Sequence, residues 1–123
     1  MRAILASCGL ILLGGSLLVW RAMQLPTRFG DFTGAPQVAV MELVDRPADF
    51  LGRTVSAQGT VTDQCKTMGC YFFFSSKKGL LRVDLKEIAM NAPMREGRPA
   101  HVEGQIVAFG NGYQLYATAI AFE

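Results

Sequence analysis

Two stretches of the chain share a glycine spacing that restricts how a β-structure built from them can close. Gly52–Val61 and Gly97–Ile106 both open with Gly-Arg, and both carry a second glycine seven positions later, Gly59 and Gly104. Apolar and polar residues alternate in each stretch, which is typical of a strand with one buried face. A glycine inside a strand weakens a flat sheet and permits a sharp bend. The repeated spacing therefore predicts two bent strands at the corners of a small barrel.

Three further strands complete the predicted barrel. Cys70–Ser75 is rich in aromatic residues, and Leu81–Leu85 alternates apolar with charged residues after a turn at 76–79. A tight hairpin at 110–112 leads into the last strand, Tyr113–Phe122. The chain thus contains five predicted strands, and we expect an all-β fold.

Two short helices are predicted around these strands. Apolar residues of 38–44 share one helical face, and Pro47 ends that segment. Asp84 and Glu87 have the spacing of a capping box, which predicts a helix through Met90 that Pro93 ends. Five strands with a short helix between the third and the fourth follow the order of an OB-fold barrel.

The longest apolar run stands near the beginning of the chain. Ala3–Trp20 holds eighteen uncharged residues between Arg2 and Arg21, which is about the minimum for a helix that crosses a bilayer. The run is long for a cleaved signal peptide, and no small-x-small cleavage site precedes the polar stretch that begins at Arg21. Leu5–Cys8 resembles a lipobox, but too few apolar residues separate it from Arg2. We predict an uncleaved transmembrane helix.

The chain then divides into three parts. Residues 1–23 form the predicted transmembrane anchor, and residues 24–37 form a tether with two prolines, two glycines and no periodicity. Residues 38–123 form the OB-fold domain. Because the two arginines that flank the anchor belong to the first part, residues 24–123 hold ten basic and ten acidic residues. A domain without net charge attracts phosphate backbones weakly, so a nucleic-acid partner is not expected.

A family resemblance supports this organisation. The segment from Val40 to Val61 resembles the start of small secreted or membrane-anchored bacterial OB-fold domains of the tRNA anticodon-binding-like group. The turn Cys65–Tyr71 is similar to the Cys-x-x-x-Gly-Cys-aromatic turn of some members, with Tyr71 where tryptophan is expected. The resemblance covers residues 38–122 and implies an OB fold outside the cytoplasm. A cysteine pair also favours an oxidising compartment. We predict a single-pass protein of the bacterial inner membrane whose domain faces the periplasm.

The cysteine turn allows more than one interpretation. Four residues, one of them glycine, separate Cys65 from Cys70, so the loop can fold back and bring the two cysteines within reach of a disulfide. Alternatively, two thiolates and the Met68 thioether form a soft metal site that suits Cu(I). A redox-active pair is less favoured, because the spacing is not Cys-x-x-Cys and no helix N-terminus is predicted beside it.

The aromatic strand provides the candidate binding residues. Alternation places Tyr71 and Phe73 on the outer face of the second and third strands, beside Arg82, where OB-fold domains commonly bind ligands. Aromatic residues and arginine are enriched at the centres of protein interfaces. We therefore predict that Tyr71, Phe73 and Arg82 bind a partner protein. In the alternative, the tether covers these rings through Phe29 and Phe32.

The remaining residues give no sign of catalysis. A Ser-His-Asp set, a nucleotide-binding loop and paired acidic residues are all missing from the sequence, and its one histidine, His101, is expected to face solvent or a partner. We predict a non-enzymatic, membrane-anchored OB-fold binding module without a cofactor, which serves as an accessory subunit of a membrane or envelope protein assembly. One alternative is a copper-binding or copper-delivery protein that uses Cys65 and Cys70. A second, from fold analogy, is oligonucleotide binding.

Overall fold

Six strands and two short helices make up residues 27–65, 70–88 and 96–123, the part of the chain that the computed structural model describes. The strands are β1 (Arg28–Gly30), β2 (Thr54–Thr62), β3 (Tyr71–Ser76), β4 (Gly79–Asp84), β5 (Pro99–Phe109) and β6 (Gly112–Phe122). The helices are α1 (Val40–Asp45) and a 3-10 turn (Pro47–Phe50). All five predicted strands are present as β2 to β6, and α1 confirms the helix predicted within residues 38–44.

The strands β2 to β6 close into a barrel. β3 pairs with β2 and β4, β4 with β6, β6 with β5, and β5 returns to pair with β2. These neighbours are antiparallel except for β4 and β6, which run parallel. A five-stranded ring with this order is consistent with the predicted OB fold. β1 lies outside the ring and pairs with the free edge of β6.

The barrel interior is filled by the residues that strand alternation sends inward. Phe72 and Phe74 of β3 are fully buried, and their rings meet edge to face with centroids 5.1 Å apart. Leu43 of α1 is also fully buried, and α1 packs against β3 and β4. Burying each of these side chains stabilises the fold by about 2 kcal/mol. The inward orientation predicted for alternate residues of β3 is thereby confirmed.

The two repeated glycines lie on adjacent strands for different reasons. At Gly104 the pairing of β5 with β6 shifts register, and a Cβ would collide with the carbonyl oxygen of Tyr116. The extra residue of this irregularity is Thr118 of β6, which lies opposite the Glu103–Gly104 step. A bulge bends the strand that carries it, here β6, so the predicted bend of β5 stays a prediction. At Gly59 a Cβ would lie 2.8 Å from a ring carbon of Phe74. Gly59 therefore makes room for a core aromatic ring.

The helix predicted after β4 is not seen in the described residues. Residues 86–88 form turns, in which the N–H of Lys86 donates to the Asp84 carboxylate over 2.9 Å and the N–H of Ile88 donates to the Leu85 carbonyl. Asp84 thus makes a cap-like contact, but its carboxylate is also bonded to side chains of the barrel and a turn follows instead of a helix. Residues 89–95 lie outside the described residues.

Residues 27–37, which we name the strap, follow the barrel surface instead of leaving it. The predicted tether, 24–37, includes them. The N–H of Phe122 donates to the carbonyl of Thr27 over 2.7 Å, and β1 continues this pairing along β6. At the other end of the strap, the N–H of Ser56 donates to the carbonyl of Pro36 over 2.9 Å. The strap therefore spans from β6 to β2 across the outside of β5.

The predicted transmembrane anchor falls within residues 1–26, which lie outside the described residues. In the ranges that the structure describes, no helix has the length and apolar character needed to cross a bilayer.

Candidate functional site

Four side chains from three strands gather on one outer surface of the barrel. Tyr71 and Phe73 extend from β3, Arg82 from β4 and Phe109 from the end of β5. The hairpin that joins β3 to β4 sets Phe73 directly opposite Arg82 in the ladder. Because strand neighbours alternate in direction, these residues point away from the core. We call these four residues the aromatic face.

The guanidinium group of Arg82 lies between two rings of this face. Its central carbon is 4.5 Å from the ring centroid of Tyr71 and 4.2 Å from that of Phe109. The rings of Tyr71 and Phe73 meet edge to face at 6.0 Å. A cation over an aromatic ring gains about 0.5–2 kcal/mol, and more where water is excluded. The sequence predicted that Tyr71, Phe73 and Arg82 lie together, whereas Phe109 is an addition that only barrel closure makes.

Polar groups beneath the rings hold Arg82 in place. Its Nη1 donates to Oε1 of Gln114 and lies 3.4 Å from Oδ2 of Asp84. Nε2 of Gln114 donates to the same Asp84 oxygen over 3.3 Å, and the Asp84 side chain is only 5 % exposed. The positive charge of Arg82 is therefore already balanced by a buried carboxylate. What the face presents to solvent is mainly aromatic carbon.

The cysteine pair lies at the edge of the aromatic face. The structure contains no disulfide between Cys65 and Cys70, and a hydrogen bond joins the two thiols instead. Burial raises the pKa of the Cys70 thiol, and the bond to Cys65 and the negative charge of Asp84 raise it further. A thiol in this setting stays protonated near neutral pH and is a slow nucleophile. The disulfide stays a prediction.

The predicted metal ligands are only partly described. Met68 lies among residues 66–69, which are outside the described residues. Among the residues that are described, no group of three His, Cys, Asp or Glu side chains is placed to hold a metal ion.

The strap packs on a different surface from the one considered in the sequence. Phe29 meets the ring of Phe122 edge on at 6.4 Å, and Phe32 stacks on His101 at 4.9 Å. Both contacts are to β5 and β6, so the alternative in which these rings cover Tyr71 and Phe73 is wrong. His101 is half-buried beneath Phe32 instead of facing solvent. Its Nε2 is buried and has no hydrogen-bond partner among the described residues.

Among the described residues, the most deeply buried charge belongs to Glu103, which the sequence did not single out. Glu103, on an outward position of β5, is 1 % exposed because the strap covers it. Its carboxylate accepts from the N–H of Thr33 (2.8 Å), the hydroxyl of Thr33 (2.6 Å) and the N–H of Ala35 (3.1 Å). Burial raises the pKa of Glu103, but these hydrogen bonds outweigh it and the net pKa is lowered. Glu103 therefore fastens the strap to the barrel as an anion.

A shallow groove lies between α1, β4 and the start of β6. It has a volume of about 310 Å³ and is lined by Leu43, Val44, Pro47, Leu80, Leu81, Gly112 and Tyr113. Phe109 pairs with Gly112 in the β5–β6 hairpin, so the groove and the aromatic face share a border. Leu80 and Tyr113 are among the more exposed large hydrophobic residues of the described part.

Comparison with known proteins identifies the fold of the barrel but no specific function. No protein-family model and no curated protein matches the chain. The hypothetical protein ygiW of E. coli has a similar structure, with 15% identity and a TM-score of 0.53, over 77% of this chain and 97% of that one. A putative aspartyl-tRNA synthetase of Leishmania major Friedlin is similar at 11% identity and a TM-score of 0.53, over 89% of this chain and about a quarter (26%) of its own. Together with the strand order, these likenesses identify the barrel as an OB fold.

Proposed function

We propose that this chain is a membrane-anchored extracytoplasmic binding module, a non-enzymatic accessory subunit of a membrane or envelope assembly, whose aromatic face holds a partner protein. The main support for the proposal is the set of contacts that Arg82 makes. Its guanidinium is stacked between Tyr71 and Phe109 and paired with the buried Asp84. The aromatic face therefore presents ordered aromatic rings to a partner, and the positive charge of Arg82 is balanced by Asp84.

This arrangement suits a protein surface better than a phosphate backbone. Oligonucleotide binding depends on basic side chains that exchange counterions for phosphates. Arg82 would have to leave Asp84 to do so, and the buried carboxylate would then have one cationic partner fewer, at a cost of about 2 kcal/mol. A second basic group, the Lys86 amine, lies 3.9 Å from the same carboxylate. The negative charge thus weakens the attraction of this surface for phosphates.

The same contacts prepare the face for a protein. Ordering a long side chain on binding costs about 0.5–1.5 kcal/mol, and Arg82 is already ordered by two rings and two polar partners. Phe109 is 47% exposed, so a partner can bury much more of it. Aromatic anchors beside a paired arginine are the composition of interface hot spots.

The double variant Tyr71→Ala/Phe73→Ala tests the face. The full chain, tagged and extracted from its native membrane, is expected to lose its cross-linked partner while its β-sheet circular dichroism is kept. The matched control is Phe32→Ala, which removes a half-buried ring that stacks on His101 instead of joining the aromatic face. Equal partner recovery from the folded double variant and the wild type would place the interface elsewhere. A complex with single-stranded nucleic acid that survives physiological salt would favour the oligonucleotide function.

The intact mass of the mature protein tests the predicted transmembrane anchor. Because Ala3–Trp20 lacks charges and no cleavage site follows it, the mature protein is expected to begin at Met1 or Arg2 and to resist carbonate extraction. An intact mass that corresponds to a start near residue 24, or to a lipidated Cys8, contradicts the anchor. Neither result bears on the aromatic face.

A further inference from the structure

The loop that carries the cysteine pair ends on the aromatic face. The N–H of Cys65 donates to the carbonyl of Tyr71 over 2.9 Å, and the N–H of Leu85 donates to the carbonyl of Cys70 over 2.7 Å. Tyr71 stacks on Arg82, and Leu85 follows Asp84, which pairs with Arg82. One end of the cysteine loop is therefore bonded to Tyr71, which stacks on Arg82, and the other end is bonded to the residue that follows Asp84.

On the β4 side, Tyr71 is held by its pairing with Asp84, and on the β2 side it depends on the first of these bonds. The described pairing of β2 with β3 consists of Val61 with Phe74 and Thr62 with Phe73. Tyr71 lies beyond that ladder, so on the β2 side its backbone is fixed by the bond from Cys65. A loop end held by one backbone bond opens more easily than the middle of a ladder. Whatever fixes Cys65 relative to Cys70 therefore also restrains Tyr71 on its β2 side.

The two thiols are placed to be joined. They already share a hydrogen bond across a loop of four residues, so closing an S–S bond requires only local movement. The neighbouring Asp84 disfavours a thiolate at Cys70, whereas a disulfide is neutral and carries no such penalty. Protonated thiols react slowly on their own, so conversion depends on an external disulfide.

We propose that Cys65 and Cys70 interconvert between a dithiol and a disulfide, and that the disulfide locks Tyr71 against Arg82 and so sets the strength with which the aromatic face binds. The inference rests on the proposed function for its binding consequence, and on the loop geometry alone for its structural one. In the forward direction one cysteine thiolate attacks an external disulfide, forms a mixed disulfide and releases one external thiol. The second cysteine then displaces the other external thiol. The protein loses two protons and two electrons, and the external disulfide is reduced to two thiols.

Oxidised glutathione is the probe for the structural part. The full-length Cys8→Ser protein keeps Cys65 and Cys70 as its remaining thiols. It is incubated with oxidised or reduced glutathione and alkylated, and its intact mass is then measured. The oxidised sample is expected to resist alkylation at both positions. Hydrogen exchange of the amides of Cys65 and Leu85 is expected to slow about tenfold in the disulfide form, since a short closed loop restricts local opening. The amide of Gly52, bonded to Ile106 elsewhere on the barrel, serves as the unchanged reference.

Partner recovery tests the binding part. The oxidised protein is expected to retain about threefold more cross-linked partner than the reduced protein, because a fixed Tyr71 has less freedom to lose on binding. The variant Cys8→Ser/Cys65→Ser/Cys70→Ser, which cannot form the disulfide, is expected to give equal recovery in both glutathione forms. Retention that follows the redox state in this variant as well would overturn the proposal.

Three further results would overturn it. The first is full alkylation of both thiols in excess oxidised glutathione, and the second is equal exchange of the Cys65 and Leu85 amides in the two forms. The third is stoichiometric Cu(I) in the reduced protein that blocks disulfide formation. A disulfide that slows exchange without changing recovery would refute the regulation alone. If Tyr71→Ala/Phe73→Ala also left recovery unchanged, the proposed function itself would fail.

Discussion

Two outer surfaces of this barrel bury a charge, and they differ in what covers it. On β5, Glu103 is covered by the strap of the same chain, and its hydrogen bonds come from the backbone and hydroxyl of that strap. On β4, Arg82 is flanked by Tyr71 and Phe109 and paired with Asp84, and no segment of the strap lies over these rings in the described contacts. One surface is completed within the chain, whereas the other ends in exposed aromatic carbon.

This difference indicates that outward-facing residues of a small barrel can serve either folding or binding. A charge that is satisfied by the chain itself contributes to folding, since its partners are present in every folded molecule. A charge that is neutralised beneath exposed rings prepares a surface without covering it. We therefore expect changes on the strap side to lower stability, and changes on the aromatic face to lower binding more than stability.

The largest stability effect is expected from Glu103→Ala. This change leaves the donors of Thr33 and Ala35 without their acceptor and is expected to lower the free energy of unfolding by about 3 kcal/mol. Urea unfolding measures it. Gln105→Ala, at the next outward position of β5 and exposed, is the matched control with an expected change below about 0.5 kcal/mol. Equal losses in the two variants would mean that the strap is not fastened by Glu103.

A smaller loss is expected from Arg82→Ala. Asp84 then stays buried with one cationic partner fewer, which is expected to cost about 2 kcal/mol. Lys86→Ala is the control, because its amine lies 3.9 Å from the same carboxylate but its side chain is 60% exposed. Thermal unfolding of both variants separates the two partners. If Lys86→Ala costs as much as Arg82→Ala, the stacked position of Arg82 gives it no special part in balancing Asp84.

Acid should weaken the attachment of the strap to the barrel. The pKa of Glu103 is lowered in the folded protein, because the hydrogen bonds from the strap outweigh its burial. Its contribution is therefore fully present above the unfolded pKa of about 4.3 and is lost as the pH falls through the lower folded pKa. Urea unfolding from pH 7 downward, compared between wild type and Glu103→Gln, measures this contribution. The gap between the two stability curves should narrow on acidification, and a constant gap would contradict the assignment.

The smallest stability effect is expected from Phe109→Ala. The ring is 47% exposed, so its removal is expected to cost below about 1 kcal/mol while it lowers partner recovery severalfold. Leu51→Ala is the control, since Leu51 is 52% exposed and lies beside the same strand through its bridge to Ile106. Both variants should unfold near the wild-type temperature. Equal partner recovery from the two variants would remove Phe109 from the binding face.

Much of the fold was predictable because its signals are local. A period of two defines β2 to β6, and the short hairpins at 76–79 and 110–112 set which strands are neighbours. The same logic brought Phe73 opposite Arg82, since the β3–β4 hairpin fixes that register. The helix expected after Asp84 rested on a capping pattern of two residues. In the described part that pattern yields turns, because the Asp84 carboxylate also serves the barrel.

What the sequence by itself determined, then, is the alternation that makes the strands, the residues that fill the core and the pairing of neighbours in the chain. Only the tertiary structure decided the contacts that arise when the barrel closes. The parallel pairing of β4 with β6 brings Gln114 to Arg82, and the strap carries Thr33 to Glu103, 70 residues further along the chain. Glu103 has the alternation of a solvent-facing residue, so no local pattern marks it as buried. Local periodicity fixes direction relative to a strand, but burial depends on which distant segment lies over that strand.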